Sequence, residues 1–340
     1  MTDRARSANR TRVPPYLRTR TPLLSHFRTL ALSHCRQGFA LLSVLWVLVG
    51  ISALALAANL AAREGVASAR NRADLARAAW RAEGCLERAR AAIHDALLAH
   101  RNDGPGASVW GRMDREIAQS PLLRGSGCDL EMRAAGAALD VNAADDETLR
   151  RLLLSIGRSP AQADSLVDAL ADWRDEDDAP RPFGAERDTY RAAKLRPPRN
   201  GPLADPRELR FVRGWDALAG IDTLLGTEPG RVPVTHAPPA VLAALPGLGP
   251  EAAARVAEMR MRDERITDLG ALLGGLSPAA RDAAMRRFAD LGGAMVLEPE
   301  AWIVTARGAE GVPPAVSVVE VRLVRAAERA AVVRRRTWTE

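Results

Sequence analysis

From Phe39 to Ala62 the chain runs 24 residues without a charge. As a helix rising about 1.5 Å per residue this run is roughly 36 Å long, enough for a hydrocarbon core about 30 Å thick. Past Arg63 the sequence becomes rich in Ala and Arg, so the helical pattern continues to about His100. The cluster Arg101-Asn102-Asp103-Gly104-Pro105-Gly106 ends it. Polar and apolar positions then alternate through Cys128-Asp129-Leu130-Glu131-Met132-Arg133, predicting a strand. Alternation returns in Ser317 to Arg325, and further strands are predicted over Trp302–Arg307 and Ala330–Thr337. The turn Gly311-Val312-Pro313-Pro314 separates two of them. Strands on both sides of a helical middle predict an α+β chain. Its small sheet would pack on the long helix, with a helical domain inserted between strands.

The middle contains an internal echo. Val141-Asn142-Ala143-Ala144-Asp145-Asp146-Glu147-Thr148-Leu149 returns as Val234-Thr235-His236-Ala237-Pro238-Pro239-Ala240-Val241-Leu242. Each copy leads an extended pair into a capped helix. The turns that follow are Gly157-Arg158-Ser159-Pro160 and Gly247-Leu248-Gly249-Pro250, with proline where the first position of a helix tolerates it. This is the pattern of a helix-hairpin-helix, a module that can bind DNA phosphates through hairpin N–H groups. Here Pro250 removes a donor, the first copy lacks the second glycine, and an acidic run lies between the copies. A packing module is the better reading. Gly247-Leu248-Gly249-Pro250-Glu251-Ala252 also matches a dinucleotide fingerprint, but no strand precedes it.

Charge is divided unevenly. Residues 1–38 hold eight Arg and one Asp, while residues 39–340 hold 40 basic and 41 acidic groups. The basic leader predicts a cytoplasmic N-terminus ahead of the membrane span, and the balanced remainder gives no reason to expect nucleic acid. An ordinary signal peptide cleaved within Ala53-Leu54-Ala55-Leu56-Ala57 is the alternative.

The acidic run is Asp172-Trp173-Arg174-Asp175-Glu176-Asp177-Asp178, followed by a Pro-rich loop to Glu186. Asp175, Asp177, Asp178 and Glu186 could supply oxygens to a hard cation such as Ca²⁺, although the EF-hand spacing is absent. A solvated helix end is the other reading. Of the three cysteines, Cys35 lies in the leader; Cys85 and Cys128 could pair in an oxidising compartment or remain buried thiols. His94 and His100 are six apart, off the i, i+4 face of a zinc helix, and no nucleophile or phosphate-binding motif occurs. The chain reads as non-catalytic.

Gly38-Phe39-Ala40-Leu41-Leu42-Ser43-Val44-Leu45-Trp46 resembles the start of type IV pilins and pseudopilins. With the acidic run, Pro198-Arg199-Asn200-Gly201-Pro202-Leu203 and the second Ala-Pro-Pro segment, the chain resembles the general secretion pathway protein K family of minor pseudopilins. The resemblance implies cleavage by a prepilin peptidase between Gly38 and Phe39, methylation of Phe39, and calcium at the acidic loop. It implies a single-pass inner-membrane protein with its bulk in the periplasm, capping the tip of a type II secretion pseudopilus. Expected partners are minor pseudopilins I and J, with pseudopilin H and the major pseudopilin as further candidates. Most pilins have Glu where this chain has Ser43; that Glu pairs with the next subunit, so its absence suits a subunit placed once. A membrane-anchored, competence-type DNA receptor is the alternative.

The expected organisation is a leader (1–38), a membrane segment (39–62) and the outer part of the long helix (63–100). A pilin-like loop and first strands (101–141) follow, then an all-α domain with two helix-hairpin-helix (SAM-like) repeats (142–298) and C-terminal strands (299–340).

Overall fold

A computed structural model describes residues 36–102 and 108–340. The leader up to Cys35 and the breaker residues 103–107 lie outside the described residues. The chain divides into two compact units, Met1–Val66 and Ala67–Glu340.

In the first unit the backbone is helical from Arg36, the start of helix α1 (Arg36–Ala99). Its side chains from Phe39 to Val66 are exposed. Among the described residues α1 is the one helix long and apolar enough to cross a membrane.

In the second unit, strands β1 (Asp129–Ala134), β6 (Ala301–Glu310), β7 (Ala315–Ala326) and β8 (Arg329–Thr339) form an antiparallel sheet in the order β1-β6-β7-β8. All four predicted strands are present: β1 keeps its predicted length, shifted by one residue, and the three C-terminal strands each extend a few residues beyond the expected limits. The outer part of α1 covers one face of the sheet. Leu86, Ala89 and Ile93 bury themselves against Trp302, Val304, Val319, Val321 and Leu323.

The contact is backbone-close at Gly308, where an added Cβ would stand 2.0 Å from the Ala78 carbonyl oxygen and 2.7 Å from the Ala82 nitrogen. Neither atom can rotate away. Gly308→Ala is therefore expected to cost about 3 kcal/mol, the upper part of the overpacking range. Gly84→Ala, where a Cβ meets nothing within 4 Å, should instead gain a few tenths to about 1 kcal/mol as a helical Gly is replaced. Chemical denaturation of both variants checks the pair. Cys85 on α1 and Cys128 before β1 are joined as a disulfide with Cα atoms 5.4 Å apart.

Because β1 pairs with β6, the chain between Ala134 and Ala301 is an excursion from the sheet, and it has its own core. Two helical pairs shape that core: α3 (Asp146–Ser155) with α4 (Pro160–Arg174), and α6 (Pro239–Ala244) with α7 (Gly249–Met261). Local chemistry explains their limits. Asp145 accepts the Thr148 N–H at 2.7 Å, and Ser159 with Gln162 forms a reciprocal cap under Pro160. Gly157 (φ 83°) and Gly247 (φ 77°) turn the chain through the left-handed region.

The excursion is not purely helical, contrary to expectation. Strand β2 (Leu139–Asp140) pairs in parallel with β3 (Leu225–Gly226), and β4 (Val232–Pro233) with β5 (Met295–Val296). The extended segments before each helical pair carry backbone groups that need partners when buried. Val141 N donates to Gly226 O and Val234 N to Val296 O, both at 2.8 Å. The opposite sides of these valines are held alike: Arg174 donates to Val141 O, and Arg260 to Val234 O.

Candidate metal centre

Helix α4 places its last acidic residues by simple periodicity. Leu166, Ala169, Leu170 and Trp173 face the core. Asp172 lies in the same stripe and is completely buried. Asp175, three residues on, is a neighbour on the helix surface and ends the helix with an extended ψ of 170°. The chain then loops back, so that Glu186, the residue before helix α5 (Arg187–Ala192), returns beside them. One carboxylate oxygen each from Asp172, Asp175 and Glu186 lies within 4.8 Å of the others.

The loop is built around these oxygens. Asp172 accepts the Arg181 N–H at 3.2 Å. Gly184 is pressed against the same carboxylate; a Cβ there would stand 2.0 Å from Asp172 Oδ2. From the other side Asn200, at φ 51°, donates its Nδ2 to Asp177 O at 2.8 Å and to Asp178 Oδ1 at 3.2 Å. Behind the site Trp173 meets Tyr190 edge to face, and the Tyr190 hydroxyl accepts the Arg213 N–H.

What remains is an excess of oxygen. Asp175 Oδ1, both carboxylate oxygens of Glu186 and Asn200 Oδ1 are buried without a hydrogen-bond partner. Unpaired buried polar atoms cost on the order of 1–3 kcal/mol each, more for charged ones. The electrostatics agree. Burial, then the neighbouring Asp172, Asp175 and Asp178, push Glu186 up to about 7. Burial is also the first cause raising Asp172 and Asp175. Among the described residues no nitrogen or sulfur ligand joins the cluster. An oxygen-only set with surplus negative charge suits a hard cation such as Ca²⁺ and not Zn²⁺ or copper.

Of the four carboxylates expected from the sequence, the structure brings Asp175 and Glu186 together. It turns the other two elsewhere: Asp177 Oδ1 accepts the Ala179 N–H at 2.8 Å, and Asp178 faces Asn200 and Arg187. Consecutive loop residues cannot all point one way. Asp172 takes the place of Asp177 and Asp178 in the cluster. Its signal was a carboxylate within the apolar stripe of a helix, where a charge is rarely left unpaired.

The second hairpin is packed. A Cβ on Gly247 would stand 2.8 Å from Ala283 O in the helix Pro278–Arg286, and Leu248 is buried. In the first unit, Phe39 is exposed and Ser43 donates to Ala40 O within the helix.

Comparison with known proteins places this geometry. Residues 129–220, which include the whole carboxylate cluster and Asn200, match the family model of type II secretion system protein K. The chain is 31% identical over 205 residues to the type II secretion system protein K of Klebsiella pneumoniae, covering 54% of this chain and 60% of that protein. It is 42% identical over 71 residues to the protein K of Dickeya chrysanthemi, 21% of this chain and 19% of that one. The matched regions thus span less than two thirds of either relative. The fold is also similar to one chain in the crystal structure of the GspK-GspI-GspJ complex from enterotoxigenic Escherichia coli. That match has a TM-score of 0.56 and 17% identity, and covers 80% of this chain and 99% of the other. At that identity the likeness concerns fold alone. Family model and relatives agree: over the matched regions the chain is similar to the type II secretion system protein K family.

Proposed function

We propose that this protein is a non-catalytic minor pseudopilin of a type II secretion system. It is anchored in the inner membrane by residues 39–62, with the leader in the cytoplasm and the second unit in the periplasm. There it joins minor pseudopilins I and J and caps the tip of the pseudopilus, supporting export of folded proteins. The observation that carries this reading is the protein K match over residues 129–220, in a chain whose apolar helix leads into a small antiparallel sheet. A chain in a solved complex of GspK, GspI and GspJ has a similar fold. The bulk of the excursion between β1 and β6 would block further addition above it, and Ser43 in place of the usual Glu suits a single placement.

We read the two helical pairs as helix-hairpin-helix copies used for packing. The matched carbonyl clamps of Arg174 and Arg260 and the buried second hairpin support that reading over a DNA receptor. The carboxylate cluster would hold calcium as a structural ion: Asp172, Asp175 and Glu186 supply the charge, and the ion ties the end of α4 to the loop before α5.

Copurification with pseudopilins I and J, lost when residues 63–340 are deleted, is the expected result for the assembly. Absence of either partner under conditions that preserve pseudopili would overturn the tip role. Processing is checked separately. Mass spectrometry of the mature protein should find methylated Phe39 at the N-terminus. Gly38→Val should retain the leader almost completely, since the peptidase must admit the residue before the scissile bond. A mature N-terminus near Asn59 would indicate an ordinary signal peptide instead.

A further inference from the structure

A second feature of the excursion lies outside the carboxylate cluster. Between the first turns of α4 and the segment 213–218 runs a groove of about 400 Å³. Leu166 and Leu218 give it an apolar floor, each more than nine-tenths buried. Arg158 and Arg213 line it, and no carboxylate does.

Among the described residues both arginines lack a counter-ion. Arg158 makes no side-chain hydrogen bond or ion pair among the described residues, and its Nε is buried without a partner. Arg213 donates from Nη1 to Gly184 O at 3.3 Å and meets no acid. Most other arginines of the second unit behave differently. Arg150, for example, holds Asp164 at 2.6 Å, and Arg199 holds Glu208 at 3.0 Å. A guanidinium with a buried, unpaired N–H carries a desolvation cost that an arriving carboxylate would relieve, with the bidentate geometry that arginine favours. The groove also lies along the first two turns of α4, a helix of 15 residues whose N-terminal partial charge favours an anion.

A small inorganic anion would leave the leucine floor unused. An aliphatic ligand without charge would leave both guanidinium groups unpaired. The chemistry that answers both is a peptide segment with a carboxylate one or two residues from an aliphatic side chain.

We propose that this groove docks an acidic, aliphatic segment of another protein: Arg158 and Arg213 take its carboxylate, and Leu166 and Leu218 take its apolar side chain. The site rests on the groove alone and holds whether or not the chain caps a pseudopilus.

The test uses the full chain in detergent micelles and a panel of fluorescent hexapeptides. Each peptide pairs Leu, Ile or Val with Asp or Glu at one- and two-residue spacing; Asn and Gln versions serve as controls. Anisotropy should show binding by at least one acidic spacing, at least tenfold tighter than its amide control. Arg158→Glu should weaken that binding tenfold or more while leaving the melting curve unchanged, since the Arg158 side chain holds no other group. Arg213→Glu should act in the same direction. Amide peptides binding as tightly as acidic ones would reduce the groove to an apolar patch. Binding unaffected by Arg158→Glu, or no binding by any peptide, would overturn the proposal.

Discussion

In calcium-free buffer the protein should lose stability as the pH rises from about 4.5 through 7. Glu186 is held up to about 7 from an ordinary 4.5. In that interval the folded state keeps a proton that the unfolded chain has released. Stability falls with pH wherever the native state binds more protons, so the contribution is complete below 4.5 and is lost as pH passes 7. A difference of this size amounts to on the order of 3 kcal/mol. Asp172 and Asp175, also raised, act in the same direction. Calcium should reverse the trend. An ion that binds only the folded state adds about 2.7 kcal/mol at a hundredfold excess over its Kd, and it requires the ionised carboxylates that exist above pH 7. At pH 8 the melting temperature should therefore rise with Ca²⁺ and fall with chelator; at pH 5 it should respond little to either. Glu186→Gln should flatten the calcium-free pH profile and remove most of the calcium response. Asp177→Ala, whose carboxylate holds Ala179 N instead, should weaken the response without abolishing it. A melting temperature indifferent to calcium at pH 8 would leave the cluster as a burial defect and not a cation site.

The sequence showed most clearly what local periodicity encodes. The strands from Ala301 to Thr339 run ten to twelve residues of mostly β-branched and apolar sequence, with alternation along β7, so their limits came within a few positions. The apolar run from Phe39 and the capped start of α4 were equally legible, because each is written in consecutive residues. What escaped notice depends on distant partners. The two-residue ladders at Leu139 and Val232 are too short to alternate, and they exist because Leu225 and Met295 arrive beside them. The carboxylate cluster was legible in place but not in membership. Asp175 to Asp178 stood out as a run, yet the run is a loop whose side chains diverge. Asp172 joins the cluster only because the loop after α4 brings Glu186 back beside the helix.

Removing the Cys85–Cys128 disulfide should destabilise the second unit by about 4 kcal/mol. The two residues are 43 positions apart, and the loop-entropy model assigns a closure of that length roughly this effect on the unfolded chain. The bond also acts where the fold needs it. Cys85 lies among the α1 residues that bury themselves against the sheet, next to Leu86, and Cys128 immediately precedes β1. Strand β1 finds its partner β6 only after the whole excursion, a long loop whose closure must be offset by later contacts. Tying the start of β1 to α1 reduces the freedom of that strand before β6 arrives. The double variant Cys85→Ala, Cys128→Ala should unfold at lower denaturant, with a melting temperature lower by roughly 8–16 °C at the usual 2–4 °C per kcal/mol for a unit of this size. Dithiothreitol should shift the natural protein by a similar amount and leave the double variant unmoved. Equal melting of the natural and double-variant proteins would show that the two cysteines remain free thiols in the mature chain, and that packing of Leu86 and Ile93 on Trp302 alone holds α1 to the sheet.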